Sequence, residues 1–259
     1  MTTKIADFAL ELFNAEETRK EVSPLTERDP SLTVQDAYQI QLETVKLKIE
    51  QGKTVIGKKV GLTSVAMQKM LNVDEPDYGH LFDDMRIENG STIDITEMIA
   101  PRVEAEIGFM LSDDLVGPNV TYLDVLLATE YVVPTLEIID SRIADWKIKL
   151  IDTVADNGSS AKVVIGERYS TLENSDLRTA GMALYKNEEL IATGSGAAAL
   201  GHPAEAIAWL ANKLHEFGIM LKKDELILPG ALSAALAVEA GDHVKADFGS
   251  FGSVSVTFK

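Results

Sequence analysis

The sequence predicts an α+β fold, and three features predict it. The first fifty residues are helical in pattern. From about residue 90, short strand-like runs and turns take over. A single well-marked helix interrupts those strands, without the regular strand–helix alternation of a parallel βαβ wind, so a curled mixed sheet is expected.

The elements follow in order. "MTTKIADFALELFNAEETRK" carries acids through its apolar part, as an amphipathic helix does and a signal peptide does not. "TVQDAYQIQLETVKLKIEQG" starts at a capping Thr33 and stops at Gly52, with Val34, Ala37, Ile40, Leu42, Val45 and Leu47 as its apolar positions. "TVIGKKVGL" is β-branched and reads as a strand, and Thr63 and Ser64 can cap a short helix over "VAMQKMLNV". Pro and Gly punctuate "EPDYGHLFDD", which is expected to be a loop. "VTYLDVLLATEYV" is a helix candidate with Thr121 and Asp124 spaced as a capping box, and "VVPTLEIID" follows as a strand. In "LGHPAEAIAWLANKLHEFG", Pro203 opens a helix, Ile207, Leu210, Leu214 and Phe217 line one side, and Gly218 ends it. The tail offers "DELILPG", "AALAVEAGDHVKADF" with a Gly-Asp turn, and "GSVSVTF" in period-two alternation.

The chain has 259 residues, enough to bury a core as one large domain or two small ones. Its formal charge of −17 repels phosphate backbones and argues against nucleic-acid binding. An anionic substrate would need a local positive centre. There is no cysteine, which excludes disulfides, zinc–thiolate sites and cysteine nucleophiles. The four histidines, His80, His202, His215 and His243, include no pair at ligand spacing, so a metal site would be carboxylate-rich and suited to Mg²⁺, Mn²⁺ or Ca²⁺. No run reaches the ~20 apolar residues of a membrane span, and the cytoplasm is the expected location.

Several stretches can carry chemistry. In "RVEAEIGFM" the period of two puts Glu104 and Glu106 on one side with Arg102, Gly108 and Met110. Alone this is the wet face of an ordinary strand. Glu137 in "VVPTLEIID" changes the balance, because both sides of that strand are apolar and a lone buried carboxylate is costly unless paired or metal-bound. An ion pair with Arg102 or Arg142 is the ordinary alternative. Three carboxylates would supply half of an octahedral shell. Lys59 shares a side with Val55, Gly57 and Gly61, where glycines leave room for a ligand, and Lys58 points the other way. Asp77 follows proline and reads first as turn chemistry. The polar run "DTVADNGSS" is expected as a loop whose hydroxyls and amides can bind a carboxylate. No nucleophile elbow, P-loop or dinucleotide fingerprint is present.

Together, "IGKKVGLTS", "PDYGHLFDDM", "RVEAEIGF", "LEIIDSRIADWKIKLIDTVADN", "GSGAAALGHP" and "GSVSV" resemble, in order and spacing, the 2-keto-4-pentenoate hydratases. These group with the 4-oxalocrotonate decarboxylases in the fumarylacetoacetate hydrolase superfamily, and the resemblance runs from about residue 30 to the C-terminus. It implies a mixed β-roll with helices, assembled as a homo-oligomer. The whole of 1–259 is then one catalytic domain, mainly helical over 1–80, with the β-roll and metal site in 81–259. It implies Mg²⁺ or Mn²⁺ on Glu104, Glu106 and Glu137, catalytic roles for Lys59 and Asp77, and substrate contacts from Ser159, Gly61 and Leu62.

The implied reaction is addition of water to 2-hydroxypenta-2,4-dienoate in aromatic catabolism, and a complex with another enzyme of that pathway is among the expectations. "PDYGHLFDDM" and "SRIADWKIKLIDTVADN" resemble the hydratases, whereas "NGSS" and "GALSAALAVEAGD" resemble the decarboxylases. Hydration is the leading expectation, and decarboxylation of 4-oxalocrotonate is the alternative. A non-catalytic oligomer that binds metal and keto acid is an alternative of another class.

Overall fold

The computed structural model describes residues 3–64, 68, 69, 73, 75–173 and 176–259. The helix expected over "VAMQKMLNV" lies largely outside these described residues.

Helices Thr3–Thr18 (α1) and Val34–Glu50 (α3) pack on each other, with the single turn Leu25–Arg28 (α2) between them in sequence. Thr33 caps α3 through a capping box: its hydroxyl accepts from Asp36 N at 3.1 Å, and Thr33 N donates to Asp36 Oδ2 at 2.9 Å. The buried side of α3 holds Ala37, Tyr38, Ile40 and Val45, and also the polar Gln41, Thr44 and Lys48. Leu42 and Leu47 are only half-buried. Gln41 can be buried because its amide is used: Nε2 donates to Tyr78 O and Val154 O, and Oε1 contacts His80 Nδ1.

Two sheets follow. The first joins Val55–Gly61 (β1), Asp77–Phe82 (β2), Arg86–Glu88 (β3), Arg102–Leu111 (β5), Thr129–Ile139 (β6), Ser160–Ile165 (β7), Leu226–Leu228 (β10) and Leu236–Ala237 (β11). Its order is β2-β1-β10-β5-β6-β7-β3, with β11 also on β5. The second has the order β4-β13-β12-β8-β9, from Thr92–Ile93 (β4), Gly181–Lys186 (β8), Glu189–Ser195 (β9), His243–Asp247 (β12) and Ser253–Phe258 (β13). β13 packs on β6 and β7, and its alternation buries Val254, Val256 and Phe258. Parallel and antiparallel pairs occur in both sheets, so the expected α+β fold with a mixed sheet holds.

Four local expectations are corrected. "EPDYGHLFDD" is not a loop but β2, buried at every position. Its Gly79 meets the Asn157 carbonyl, which would lie 2.2 Å from a Cβ, so the glycine marks close packing rather than a turn. "DTVADNGSS" is likewise not a loop: Leu150–Ala155 is a helix (α5) and Asn157–Ser159 a 3₁₀ turn, and Asp152 through Ser160 are buried. The helix Tyr122–Leu127 (α4), capped by Thr121 and Asp124 as expected, ends early because Thr129 onward pairs with β5. The Gly241-Asp242 turn joins no hairpin. β11 pairs with β5, whereas β12 pairs with β8 and β13. The expected boundary near residue 81 falls inside β2, since β1 and β2 belong to the first sheet.

Helix Pro203–His215 (α6) is capped by His202 Nδ1, which accepts from Ala204 N at 3.0 Å. It buries Ile207, Leu210 and Leu214, and packs on α4 and β1. No described helix is long and apolar enough to cross a membrane.

Candidate metal centre

The central pair β5–β6 builds the site. Its antiparallel register sets Glu104 opposite Glu137 and Glu106 opposite Thr135. Cross-strand partners share a face, so all three glutamates point the same way. One carboxylate oxygen from each lies within 4.8 Å of the other two. Glu106 and Glu137 are wholly buried and Glu104 half-buried. Glu106 Oε2 accepts from Gly230 N at 2.7 Å. Its Oε1 and both Glu137 oxygens are buried with no hydrogen-bond partner among the described residues.

Such orphans are expensive unless something else satisfies them. The expected ion pairs do not: Arg142 is bound to Asp156 at 2.5 Å, and the Arg102 guanidinium lies 4.4 Å from the centre of the Trp146 ring. Lys59 is the neighbouring cation. Its Nζ sits 3.4 Å from Asp77 Oδ1 and 3.8 Å from Glu137 Oε1. One ammonium against four carboxylates leaves excess negative charge. Burial, and then the charge of Glu137, push Glu104 up to about 7. Burial with Glu137 and Glu104 holds Glu106 well above the usual carboxylate range. An oxygen-only, anionic cluster with orphaned carboxylate oxygens fits a hard divalent cation.

A cavity of about 270 Å³ opens beside the cluster, lined among others by Lys59, Asp77, Glu104 and Ser159. Gly61 and Leu62 line it too. A Cβ on Gly61 would lie 2.3 Å from Asp77 Oδ1 and 2.7 Å from Lys59 Nζ, so only glycine leaves that pair in place. Asp77 Oδ2 accepts from Thr153 Oγ1 at 2.7 Å. Ser159 Oγ donates to Asp156 Oδ2 at 3.2 Å. Asn157 clasps β2 from the same turn, since Oδ1 accepts from His80 N at 2.7 Å and Nδ2 donates to His80 O at 2.9 Å. The structure thus brings every sequence-predicted site residue to one cluster and its adjoining cavity. Sequence reasoning missed Thr153 and the lining role of Arg102 and Trp146. The spacing of Arg102 two residues before Glu104 carried that signal.

Fold and site together define an α+β protein with a carboxylate cluster suited to a divalent cation. Residues 50–259 match the family described as fumarylacetoacetate (FAA) hydrolase C-terminal. The chain is 47% identical over 249 residues to a 2-hydroxyhexa-2,4-dienoate hydratase of Comamonas testosteroni, covering 95% of this chain and 94% of the relative. It is 45% identical over 251 residues to a 2-keto-4-pentenoate hydratase of Paraburkholderia xenovorans, covering 97% and 93%. The solved 4-oxalocrotonate decarboxylase from Pseudomonas putida G7, complexed with magnesium and adipate, superimposes with a TM-score of 0.97 at 38% identity, over 100% of this chain and 99% of that one. The chain belongs to the fumarylacetoacetate hydrolase family.

Proposed function

We propose that this protein is a metal-dependent lyase that adds water to 2-hydroxypenta-2,4-dienoate, giving 4-hydroxy-2-oxopentanoate, as in meta-cleavage breakdown of aromatics. The observation that carries this reading is the set of orphaned oxygens on Glu106 and Glu137, beside Glu104 and a cavity holding Lys59 and Asp77. The two hydratases at 45% and 47% identity support the choice of reaction.

Glu104, Glu106 and Glu137 would hold Mg²⁺ or Mn²⁺. A cation bound there would supply Lewis acidity that stabilises negative charge developing on the substrate. The 2-hydroxyl proton leaves and a proton arrives at C5, which makes a conjugated 2-oxo-3-enoate. Water then adds at C4 and a proton arrives at C3. Asp77, anchored by Thr153, is assigned to accept the proton of the attacking water. Lys59 is assigned to deliver protons to carbon. Burial disfavours its charge, but Asp77 and Glu137 outweigh that and raise its pKa, so it stands protonated. Ser159, Gly61 and Leu62 are assigned to substrate contact along the cavity wall.

A second reading, decarboxylation of 2-oxo-3-hexenedioate, uses the same residues and is supported by the decarboxylase superposition. We place the protein in the cytoplasm as a homo-oligomeric single catalytic unit, acting beside other enzymes of its pathway.

The test mixes protein, Mg²⁺ and freshly generated dienoate, follows the dienol absorbance, and runs the C6 dicarboxylate in parallel with CO₂ measured. Loss of absorbance with water added supports hydration. CO₂ release supports decarboxylation. Binding without loss of either substrate overturns both readings in favour of a non-catalytic binder.

A further inference from the structure

Behind the metal centre, on the other side of β1, lies a cavity that the proposed reaction does not use. Lys59 lines the cavity beside the glutamates, and Lys58, its neighbour in the strand, lines this one. Its volume is about 680 Å³, a size that suits a small molecule. Its walls are apolar: Leu42 and Val45 from α3, Val55 from β1, and Ile219 and Met220 from the segment after α6. The buried polar groups in it are Lys58 and Glu225, which complete each other, and His80 of β2.

His80 is 5% exposed, and its neighbours fix its tautomer. Gln41 Nε2 donates to two backbone carbonyls, Tyr78 O and Val154 O, so Gln41 Oε1 is the atom that meets His80 Nδ1, at 2.9 Å. An amide oxygen only accepts, so Nδ1 carries the proton. Burial, and then the charge of Lys58, push His80 down to about 3, which leaves the ring neutral and Nε2 a bare acceptor. Gln41 is fully buried, so Nε2 is the ring nitrogen left for the cavity, and among the described residues nothing donates to it. Lys222 and Lys223 line the same cavity, are exposed, and form no side-chain ion pair among the described residues. With Lys58 and Glu225 cancelling, these two ammonium groups face one carboxylate, that of Asp224. The local balance is positive in a chain of net charge −17.

We propose that this cavity is a second binding site, for a hydroxyaryl carboxylate whose ring lies between the apolar walls, whose hydroxyl donates to His80 Nε2, and whose carboxylate meets Lys222 and Lys223. Each part of the ligand answers a group that is present. A bare acceptor calls for an O–H donor. Apolar walls with a thioether among them, from Met220, favour an aromatic ring. A rigid ring also surrenders little conformational freedom on binding. The site is separate from the metal centre and takes no part in the lyase reaction.

The test titrates Mg²⁺-loaded protein by calorimetry with 2-, 3- and 4-hydroxybenzoate, each beside its methyl ether, which keeps ring and carboxylate and loses the donor. At least one isomer should bind about five- to tenfold tighter than its ether, the worth of one hydrogen bond. Met220→Trp, which fills the cavity, should abolish that binding. Lys222→Met/Lys223→Met should weaken it about threefold or more and flatten its dependence on salt. In wild type labelled with ¹⁵N-histidine, the Nε2 resonance of His80 should move with the hydroxybenzoate and stay with the ether. That measurement needs no variant, so it decides the matter even if Met220→Trp fails to fold. No binding by any isomer, equal affinity for acid and ether, or an unmoved His80 resonance would overturn the proposal. So would binding that survives in folded Met220→Trp, since the ligand then sits elsewhere, at the glutamate cluster for example.

Discussion

Lys58 and Lys59 are neighbours on β1, point to opposite sides of the sheet, and are 3% and 2% exposed. Their surroundings differ in one respect. Lys58 Nζ donates to both oxygens of Glu225, at 2.7 and 2.6 Å, and Glu225 Oε2 also accepts from Lys222 N at 2.9 Å. That pair is saturated, and it ties β1 to the turn before β10. Lys59 is spread over contacts of 3.4 and 3.8 Å and faces more carboxylate than it can neutralise. Burial pushes Lys58 down despite Glu225, whereas the carboxylates around Lys59 overcome burial and push it up. The carboxylates divide in the same way. Asp156 receives Arg142 Nε and the Arg142 backbone N–H, and among the described residues Glu137 receives no hydrogen bond. A buried charge whose partners are complete belongs to the architecture. One whose partners are incomplete is arranged for something that arrives.

The largest break in this contrast should come from Glu137→Gln. Turnover should fall about a thousandfold or more, since several kcal/mol of charge stabilisation leaves with the metal. The metal-free variant should melt higher than metal-free wild type, because one charge of the cluster's buried negative excess is gone. Mn²⁺ titration with melting curves checks both. Full activity in chelator-treated buffer would end the metal reading.

Next come the two lysines. Lys59→Met should cost about 10²–10⁴ in kcat while metal still binds. Lys58→Met should instead lose about 3–5 kcal/mol of stability, because Glu225 is left buried and unpaired. Turnover per folded molecule should be unchanged. The double variant Lys58→Met/Glu225→Leu should regain much of the loss. Urea unfolding beside steady-state kinetics reads both, and exchanged phenotypes would collapse the comparison.

Part of this was legible in the sequence. The period of a strand alone put Glu104 and Glu106 on one side, and Glu137 stood out as an acid on an apolar strand. Their meeting was not legible, because the Glu104–Glu137 register depends on which strands pair. Asp77 was masked by Pro76 and Gly79, local turn signals that tertiary packing overrides. "DTVADNGSS" looked solvated because it is polar, yet most of its polar side chains find partners within the fold. Asp152 accepts from Thr26, Asp156 from Arg142, and Asn157 exchanges bonds with His80. Composition shows that polar groups are present and not whether they are satisfied.

A gentler test uses protons. In the metal-free protein Glu104 is raised from 4.5 to about 7 and Glu106 well above its ordinary value. Between those limits the folded state holds more protons than the unfolded one, so this cluster's contribution to stability falls as pH rises. A divalent cation displaces those protons. The rise in melting temperature on adding Mg²⁺ should therefore be larger at pH 8 than at pH 5.5, with protons released on binding at the lower pH. An equal rise at both would mean the glutamates are not the ligands.

The smallest effect should come from Thr153→Val. Valine keeps the shape of threonine and removes one hydroxyl, the donor to Asp77 Oδ2 at 2.7 Å. Thr153 is a positioning residue, so metal affinity and KM should stay near wild type. The loss should appear in kcat as about a five- to tenfold decrease, the worth of one hydrogen bond of about 1 kcal/mol. Thr153→Ser restores the hydroxyl and should restore kcat. If the serine variant is as slow as valine, the lost methyl packing explains the defect and Asp77 owes nothing to Thr153. If valine is as fast as wild type, Lys59 alone holds Asp77, and the boundary between saturated and unsaturated groups runs through Asp77 rather than beside it.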